Sequence, residues 1–185
     1  MKTSLKLPST TPEITGFSWH PHLKSKLLLP SLVGQKVEKL RGQGFKIVTL
    51  NGSFDLFHAG HLKMLEKAYD LKGEKGVVLL ALNSDASIKS YKSVSRPIIE
   101  LEYRLRLLAA NVFVDYVTWF DENDPICLLK LIKPDVHVNG AEYGPNCIEA
   151  ETVKEHGGQL VLVDKFDGLS TSGIIKKILI GGGNG

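Results

Sequence analysis

Two histidines, His58 and His61, are the residues whose types and spacing carry chemistry most clearly. They end the segment over residues 50–62, which reads LNGSFDLFHAGHL and closes in an HxGH pattern. An apolar run precedes this segment and a helical pattern follows it, so the motif is predicted to end a strand and open a helix. Histidines three positions apart in a first helical turn share one face. Both rings can then bind one ligand, and imidazole N–H groups suit a phosphate whose charge grows during a reaction.

The backbone around this motif also favours an anion. Gly52 and Gly60 leave room for the main chain to approach a phosphate closely. The free N–H groups and the positive dipole end of the following helix point towards the same turn. An HxGH pattern also arises by chance, and single histidines are often half-buried side chains with one hydrogen bond. The position between a strand and a helix, with NGSFD at residues 51–55 preceding it, favours the functional interpretation.

The composition is that of a globular protein of modest charge. The chain has 185 residues, enough for one domain with a substantial core and too few for two typical domains. The net charge is +3 and the basic residues are scattered, which argues against nucleic-acid binding and permits anionic small substrates. Cys127 and Cys147 lack metal-ligand spacing. Because no signal-peptide pattern and no apolar run of about 18 residues is present, a cytoplasmic protein without a membrane partner is expected.

Apolar runs alternate with helical patterns along the chain. Strands are expected over residues 46–50, 77–82, 112–119, 136–138 and 159–163. Helices are expected after the HxGH motif, after Asp124-Pro125, and over residues 32–43, 100–111, 145–156 and 170–179. Residues 86–97 lack apolar periodicity and are predicted to form a loop. The alternation predicts an α/β fold, a single-domain Rossmann-like doubly wound sheet of about five parallel strands with helices on both faces and ligands at the carboxyl edge.

The segment NGSFDLFHAGH resembles the first signature of the cytidylyltransferase-like nucleotidyltransferases, an α/β family in which HxGH binds the triphosphate of a nucleotide. Within this family, four later segments are most similar to the adenylyltransferase domain of ADP-heptose synthesis: NSDAS at 83–87, Lys92, SRP at 95–97 and LEYR at 101–104. The resemblance extends over residues 35 to 180, with the motifs in the family's order. It is specific for the superfamily and less specific for the substrate.

The resemblance implies a set of site residues. The expected catalytic residues are His58 and His61 on the triphosphate and Lys92 on the α-phosphate and the incoming phosphate. The glycine that usually follows this lysine is replaced by Ser93, which leaves Lys89 as an alternative. The expected nucleotide-binding residues are Asn51, Gly52, Ser53, Phe54, Gly60, Asn83, Asp85, Arg104, Asn139, Gly140, Ser170, Thr171 and Ser172. No protein ligand set for a metal is predicted, and Mg²⁺ is expected as a cofactor because it bridges nucleotide phosphates.

Three of these assignments have a structural alternative. Arg104 could contact phosphate, as the resemblance implies, or pair with Glu100 one turn back on its helix. Ser170 and its neighbours could hold phosphate or simply cap the last helix. Asp55 is interpreted as a residue that orders the loop rather than as an acid or base. In the KGxDY-like segment, Asn139 stands in place of lysine and Glu142 in place of aspartate, so base or substrate contacts there stay open.

Three regions are predicted along the chain. Residues 1–31 form an N-terminal arm, residues 32–180 the nucleotidyltransferase domain, and residues 181–185 a flexible tail. The first 24 or so residues show no sustained period, so the arm is expected to be dispensable for folding. Trp19 argues against complete disorder in this arm, because such side chains normally find a surface to cover.

The leading hypothesis is an adenylyltransferase that joins ATP to a phosphorylated sugar, D-glycero-β-D-manno-heptose 1-phosphate, and releases pyrophosphate. The family's second signature, ISTT, follows Arg-Thr-Glu-Gly in cytidylyltransferases, whereas here LSTS at 169–172 follows KFDG, closer to the heptose type. The alternatives are a cytidylyltransferase that uses glycerol 3-phosphate or a related alcohol phosphate, and a non-catalytic nucleotide-binding protein. In relatives the domain can be fused to a sugar kinase; here a separate sugar kinase is expected to supply the phosphorylated sugar, and a homodimer is expected.

Overall fold

The computed structural model describes residues 18–164 and 169–181, which form an α/β domain around one parallel sheet. The five strands stand in the order β3-β2-β1-β4-β5. They are β1 Lys46–Gly52, β2 Gly76–Asn83, β3 Tyr116–Phe120, β4 Val136–Gly140 and β5 Gln159–Val163. Every neighbouring pair is parallel. The structure therefore confirms the predicted Rossmann-like sheet and its strand number.

Helices cover both faces of the sheet. They are α1 Pro21–Lys26, α2 Val33–Gly42, α3 Ala59–Lys72, α4 Asp85–Tyr91, α5 Leu101–Ala109, α6 Ile126–Ile132, α7 Ile148–Glu155 and α8 Thr171–Gly181, with short 3₁₀ turns at Pro30–Leu32 and Ala141–Tyr143. One face carries α3 and α5, and its core includes Leu65 and Leu105. The other face carries α2 and α6, with α7 packed against α6 and β5. All eight residues of β2 are buried, as expected for a strand covered on both sides.

One predicted loop contains a helix. Residues 86–97 were expected to be irregular, but α4 occupies the first part of this segment and ends at Tyr91. Ser84 caps it by accepting a hydrogen bond from the backbone N–H of Ser87, and Ile88 is completely buried. A seven-residue helix anchored by one buried aliphatic side chain shows too little periodicity to be recognised in the sequence.

The N-terminal segment differs most from its prediction. Within the expected arm, Pro21–Lys26 is helical, Trp19 is only 8% exposed and belongs to the core, and Leu28 donates a backbone hydrogen bond to Val117. Residues 18 to 31 therefore pack on the domain and cover the edge strand β3, because a sheet edge leaves backbone groups unpaired. Residues 1–17, and residues 182–185 of the predicted tail, lie outside the described part of the chain.

Candidate active site

Most of the predicted site residues lie at the carboxyl edge of the sheet. The strand order reverses at β1, which lies between β2 and β4, and such a reversal opens a crevice. The crevice contains two adjoining cavities. A small compartment of about 270 Å³ is lined by residues that include His58, Gly60, Gly140, Ser170 and Ser172. A large compartment of about 540 Å³ is lined by residues that include Asn51, Gly52, Ser53, Phe54, Asn83, Asn139 and Glu149. His61, Lys92 and Thr171 line both.

His58 is the N-cap of α3. Its Nδ1 atom accepts a hydrogen bond of 3.1 Å from the backbone N–H of Gly60. Since an accepting nitrogen carries no proton, the neutral ring must carry its proton on Nε2. Partial burial lowers the pKa of His58, which favours this neutral form. The side chain thus caps the helix with one nitrogen and keeps an N–H donor for a ligand on the other.

His61 lies against His58, with the two ring centroids 3.8 Å apart. This geometry confirms that both rings share one face of the first helical turn. Burial, together with the neighbouring His58 and Lys92, lowers the pKa of His61 to about 3, although Asp55 acts in the opposite direction. The ring is therefore neutral near pH 7. Its Nδ1 atom is buried without a hydrogen-bond partner in the described part of the chain, and the residue lines both compartments.

The turn between β1 and α3 places an aromatic ring beneath His61. Phe54 adopts a positive φ of 44°, and its ring centroid lies 4.9 Å from that of His61. Gly52 has a φ of 157°, and a Cβ atom on it would lie 3.2 Å from the Phe54 ring. A side chain at Gly52 would crowd this ring and strain the backbone. The glycine therefore permits the tight turn that presents the histidines.

Lys92 is the lysine that reaches the cavities. Its Nζ atom donates a 3.0 Å hydrogen bond to Ser53 Oγ, and Lys92 lines both compartments. Burial lowers its pKa, and the positive charges of Arg96 and Arg104 act in the same direction. Lys89 is exposed on α4 and lines neither compartment. Of the two candidates for the loop lysine, the structure places Lys92 at the site.

Arg104 braces the site and does not line it. Its side chain is completely buried and donates to the carbonyl oxygens of Ile99, Ser53 and Asn83 and, at 2.7 Å, to Asp85 Oδ1. These bonds engage all three guanidinium nitrogens and tie together the ends of β1 and β2. The expected phosphate contact and the alternative pair with Glu100 are both replaced by this arrangement. Asp85, also predicted to bind nucleotide, instead holds Arg104 and the backbone N–H of Leu101.

Asp55 orders the loop that follows α4, as interpreted from the sequence. The side chain is 1% exposed and accepts hydrogen bonds from the backbone N–H groups of Ile98 and Ile99. It also forms a 2.7 Å ion pair with Arg96, which lines the small compartment. Sequence reasoning missed this role of Arg96, because no fixed spacing relates residue 55 to residue 96.

The start of α8 supplies the wall opposite α3. Ser170 Oγ accepts a 3.1 Å hydrogen bond from Gly173 N, so Ser170 caps the helix and lines the small compartment as well. The capping interpretation of this residue is therefore confirmed, and its binding of phosphate stays a prediction. Thr171 and Ser172 line the same compartment. Two helix N-termini thus converge on one cavity, and each favours negative charge.

Three polar residues, Asn51, Asn139 and Glu149, form one side, the floor, of the large compartment. Asn51 and Asn139, at the ends of neighbouring strands, each donate a 3.3 Å hydrogen bond to Glu149 on α7. Beside them, a Cβ atom on Gly140 would lie 2.3 Å from Glu142 Oε2, so only glycine lets this carboxylate fold over the strand end. Glu149 carries no motif signal in the sequence. Its place follows from the packing of α7, which local patterns do not reveal.

Among residues 18–164 and 169–181, no helix is both long and apolar enough to cross a membrane. The segment before LSTS, residues 165–168, lies outside the described residues, so the geometry of the KFDG stretch is not part of the site as described.

Comparison with known proteins extends the family resemblance. A sequence profile described as Cytidylyltransferase-like matches residues 49–175. The bifunctional protein HldE of Syntrophotalea carbinolica is 42% identical over 156 residues, covering 84% of this chain and 31% of the relative. HldE of Geobacter metallireducens is 41% identical over 170 residues, covering 90% of this chain and 34% of the relative. The chain thus spans about a third of the length of these relatives.

Solved structures agree with the fold. The crystal structure of the lipopolysaccharide core biosynthesis protein from Thermoplasma volcanium aligns with a TM-score of 0.53 at 26% identity, covering 67% of this chain and 100% of that chain. A macrolide-efflux protein from Streptococcus pneumoniae aligns with a TM-score of 0.55 at 18% identity, covering 72% and 52%, and shares the fold. Because the family profile covers most of the domain and relatives reach 42% identity, this chain belongs to the cytidylyltransferase-like family of nucleotidyltransferases.

Proposed function

We propose that this protein transfers AMP from ATP to a sugar 1-phosphate and releases pyrophosphate. The observation that carries the proposal is the convergence of His58, His61 and Lys92 with the N-termini of α3 and α8 on adjoining cavities. Neutral imidazole donors, an ammonium group and free backbone N–H groups together suit a nucleotide triphosphate. The second, larger cavity offers room for an acceptor on the far side of Lys92.

The residues of the site suit an in-line transfer. In such a reaction a phosphate oxygen of the acceptor attacks the α-phosphorus while pyrophosphate leaves, and the protein mainly positions groups and neutralises charge. In the proposal, His58 Nε2–H and the α8 hydroxyls hold the triphosphate in the small compartment. His61 and Lys92 line both compartments and so contact the oxygens around the α-phosphorus. No covalent protein intermediate is required.

The acceptor is proposed from resemblance. The motifs at residues 83–87, 95–97 and 101–104 are similar to the adenylyltransferase domain of ADP-heptose synthesis, and the relatives named HldE support the same assignment. The similar Thermoplasma protein is described as a lipopolysaccharide core biosynthesis protein. These observations favour D-glycero-β-D-manno-heptose 1-phosphate as the acceptor. A sugar kinase is then needed to supply it, and the predicted homodimer stays a prediction.

Magnesium belongs to the proposal. Over the described ranges, 18–164 and 169–181, no group of three or more His, Cys, Asp or Glu side chains is placed to hold a metal ion. Glu142 is the carboxylate that lines both compartments. This donor set fits Mg²⁺ bound to nucleotide phosphates and water, with Glu142 as its protein contact, because Mg²⁺ keeps several waters and needs few protein ligands. When bound, the ion supplies charge neutralisation on the phosphates.

A substrate grid tests the proposal. Pyrophosphate release is measured for ATP and CTP against D-glycero-β-D-manno-heptose 1-phosphate, mannose 1-phosphate and glycerol 3-phosphate, each with Mg²⁺. The expected result is the highest kcat/KM for ATP with the heptose 1-phosphate. Faster turnover of CTP with glycerol 3-phosphate would identify a cytidylyltransferase instead. Nucleotide binding without turnover of any pair would leave a non-catalytic protein.

A further inference from the structure

The floor of the large compartment has no role in the phosphate chemistry. Glu149, the second residue of α7, extends its carboxylate between Asn51 and Asn139 at the ends of β1 and β4. Asn51 Nδ2 lies 3.3 Å from Glu149 Oε1, and Asn139 Nδ2 lies 3.3 Å from Oε2. Glu149 is 7% exposed. Two amide groups therefore fix both oxygens of a nearly buried carboxylate that still lines a cavity.

This floor offers mainly hydrogen-bond acceptors. A carboxylate accepts up to about four hydrogen bonds, and each oxygen of Glu149 receives one from an asparagine amide. The Oδ1 atom of Asn51 is buried and has no partner within the described part of the chain. None of the ion pairs in the described ranges includes Glu149. The floor therefore suits a ligand rich in hydrogen-bond donors and repels a phosphate group.

The wall shared by the two compartments has the opposite character. Lys92 and His61 line this wall and offer donors to a phosphate. A ligand that spans the large compartment must therefore carry a phosphate at one end and hydroxyl donors at the other. We infer that Asn51, Asn139 and Glu149 bind sugar hydroxyl groups of the acceptor, so that Glu149 determines acceptor specificity. The inference rests on the proposed function, because it assigns the large compartment to the acceptor.

Apolar surface does not distinguish the two compartments, because Met64 and Tyr143 line both and Phe54 and Ile148 line the large one. The asparagines do distinguish them. The large compartment is lined by five asparagines in addition to Glu149, and none of them lines the small compartment: Asn51, Asn83, Asn123, Asn139 and Asn146. A surface so dense in hydrogen-bonding groups matches the several hydroxyl groups of a sugar.

The test measures acceptor and nucleotide binding separately in three variants. Glu149→Gln removes the charge and keeps the shape of the side chain. Glu149→Asp keeps the charge but shortens the side chain, so the carboxylate lies farther from the cavity. Glu151→Gln, on the exposed side of α7, is the matched control. Calorimetry gives the Kd of mannose 1-phosphate and, separately, of ATP with Mg²⁺. Melting temperatures verify folding.

We expect Glu149→Gln to raise the Kd of mannose 1-phosphate by about tenfold or more and to leave the Kd of ATP within about twofold. Glu149→Asp should weaken acceptor binding in the same direction, and Glu151→Gln should match the parent.

A set of deoxymannose 1-phosphates identifies the interaction. At least one hydroxyl deletion should weaken binding to the parent and cause no further loss in Glu149→Gln, because the two changes remove the same hydrogen bond. Additive losses for every hydroxyl would contradict the inference. Equal weakening of ATP would show that Glu149 contacts the nucleotide, and tighter binding of phosphoethanolamine than of mannose 1-phosphate would show an ammonium site. Either outcome overturns the inference.

The binding assay also separates this inference from the proposed function. A parent protein that binds mannose 1-phosphate through Glu149 but releases no pyrophosphate with any acceptor refutes the function and leaves the binding assignment intact. A parent that turns over the heptose 1-phosphate, with a KM unchanged in Glu149→Gln, refutes the inference alone. If Glu149→Gln fails to fold, the Glu149→Asp variant decides by the same comparison of acceptor and ATP affinities.

Discussion

The groups that line the cavities and the groups that brace them differ in how fully their hydrogen bonds are satisfied. Arg104 donates to three carbonyl oxygens and to Asp85, and Asp55 accepts from two backbone amides and Arg96. At the cavity walls, by contrast, His61 Nδ1 and Asn51 Oδ1 are buried with no partner in the described residues. A saturated side chain such as Arg104 fixes the backbone around it. Buried atoms without a partner in the described ranges also occur away from the cavities, at Trp19 Nε1 and His137 Nε2, so a candidate binding residue must both line a cavity and carry an unsatisfied atom, as His61 and Asn51 do.

His61→Ala tests the binding side of this contrast and should give the largest effect. Under the proposed function, the ring would face oxygens whose charge rises as the α-phosphorus becomes five-coordinate, so its contribution would belong mainly to the transition state. Loss of one such donor costs about 3 kcal/mol, a hundred- to thousand-fold in kcat. The KM for ATP and the melting temperature should change little. Steady-state kinetics and thermal melts on this variant, with exposed His22→Ala as the control, measure all three.

The competing result for His61 is well defined. If the histidine only filled space, the variant would lose stability while turnover per folded molecule stayed nearly intact. Turnover within about fivefold of the parent would remove His61 from the transition state, since a donor of this kind contributes far more.

Arg104→Ala tests the bracing side. Removal of one partner from a buried ion pair leaves Asp85 and three carbonyl oxygens without their donor, which should cost about 3 kcal/mol of unfolding free energy. Denaturant titration measures this loss, with exposed Lys89→Ala as the control. Ligand affinity per folded molecule should fall less than in a variant of the cavity wall. An unchanged unfolding free energy with a severe loss of ATP binding would restore the phosphate-binding role that the sequence suggested.

Trp19→Ala extends the same test to a region remote from the cavities. The indole is 8% exposed and packs in the core beside α5, and the Arg106 guanidinium lies over its ring. Truncation of a large buried aromatic residue typically costs about 3 kcal/mol. The variant should melt at a lower temperature with unchanged kcat and KM, and deletion of residues 1–23 should do the same. A deletion that keeps its melting temperature would support the dispensable arm expected from the sequence.

The sheet could be predicted from the sequence because the buried strands β1 and β2 are largely continuous apolar runs. Such runs identify strands without tertiary information. The shared face of His58 and His61 was predictable for a similar reason, since two residues three positions apart at the start of a helix have a fixed relative geometry. The position of Glu149 in the large compartment and the bracing role of Arg104 were not predictable from the sequence. Their positions depend on which helix packs where, and no local spacing encodes a contact between residues 51 and 149. The surface that Trp19 covers could not be predicted for the same reason, because its partners, such as Arg106 on α5, lie far away in the sequence.

The pH dependence of stability gives the smallest and most specific test. Burial holds the pKa of His61 at about 3 in the folded protein, below the ordinary value of 6.5. Between these values the unfolded chain binds a proton that the folded chain does not, so stability must fall as the pH decreases below 6.5. Because the ring is partly solvated, we expect a loss of about 1 kcal/mol from His61 between pH 6.5 and 5.

His137 lies completely buried in the sheet, and desolvation lowers its pKa to about 4 although Glu149 opposes this shift. His137 therefore also lowers the stability of the fold as the pH decreases, and its contribution must be separated from that of His61. His61→Asn should flatten the melting profile between pH 6.5 and 5 by its own share, while exposed His22→Asn should follow the parent. Bound ATP should also flatten the profile, because triphosphate charge beside His61 raises its pKa and returns the proton to the folded state. A profile that keeps the parent's slope in His61→Asn would mean that His61 has the same pKa in the folded and the unfolded chain, so that burial does not hold its ring neutral for the triphosphate.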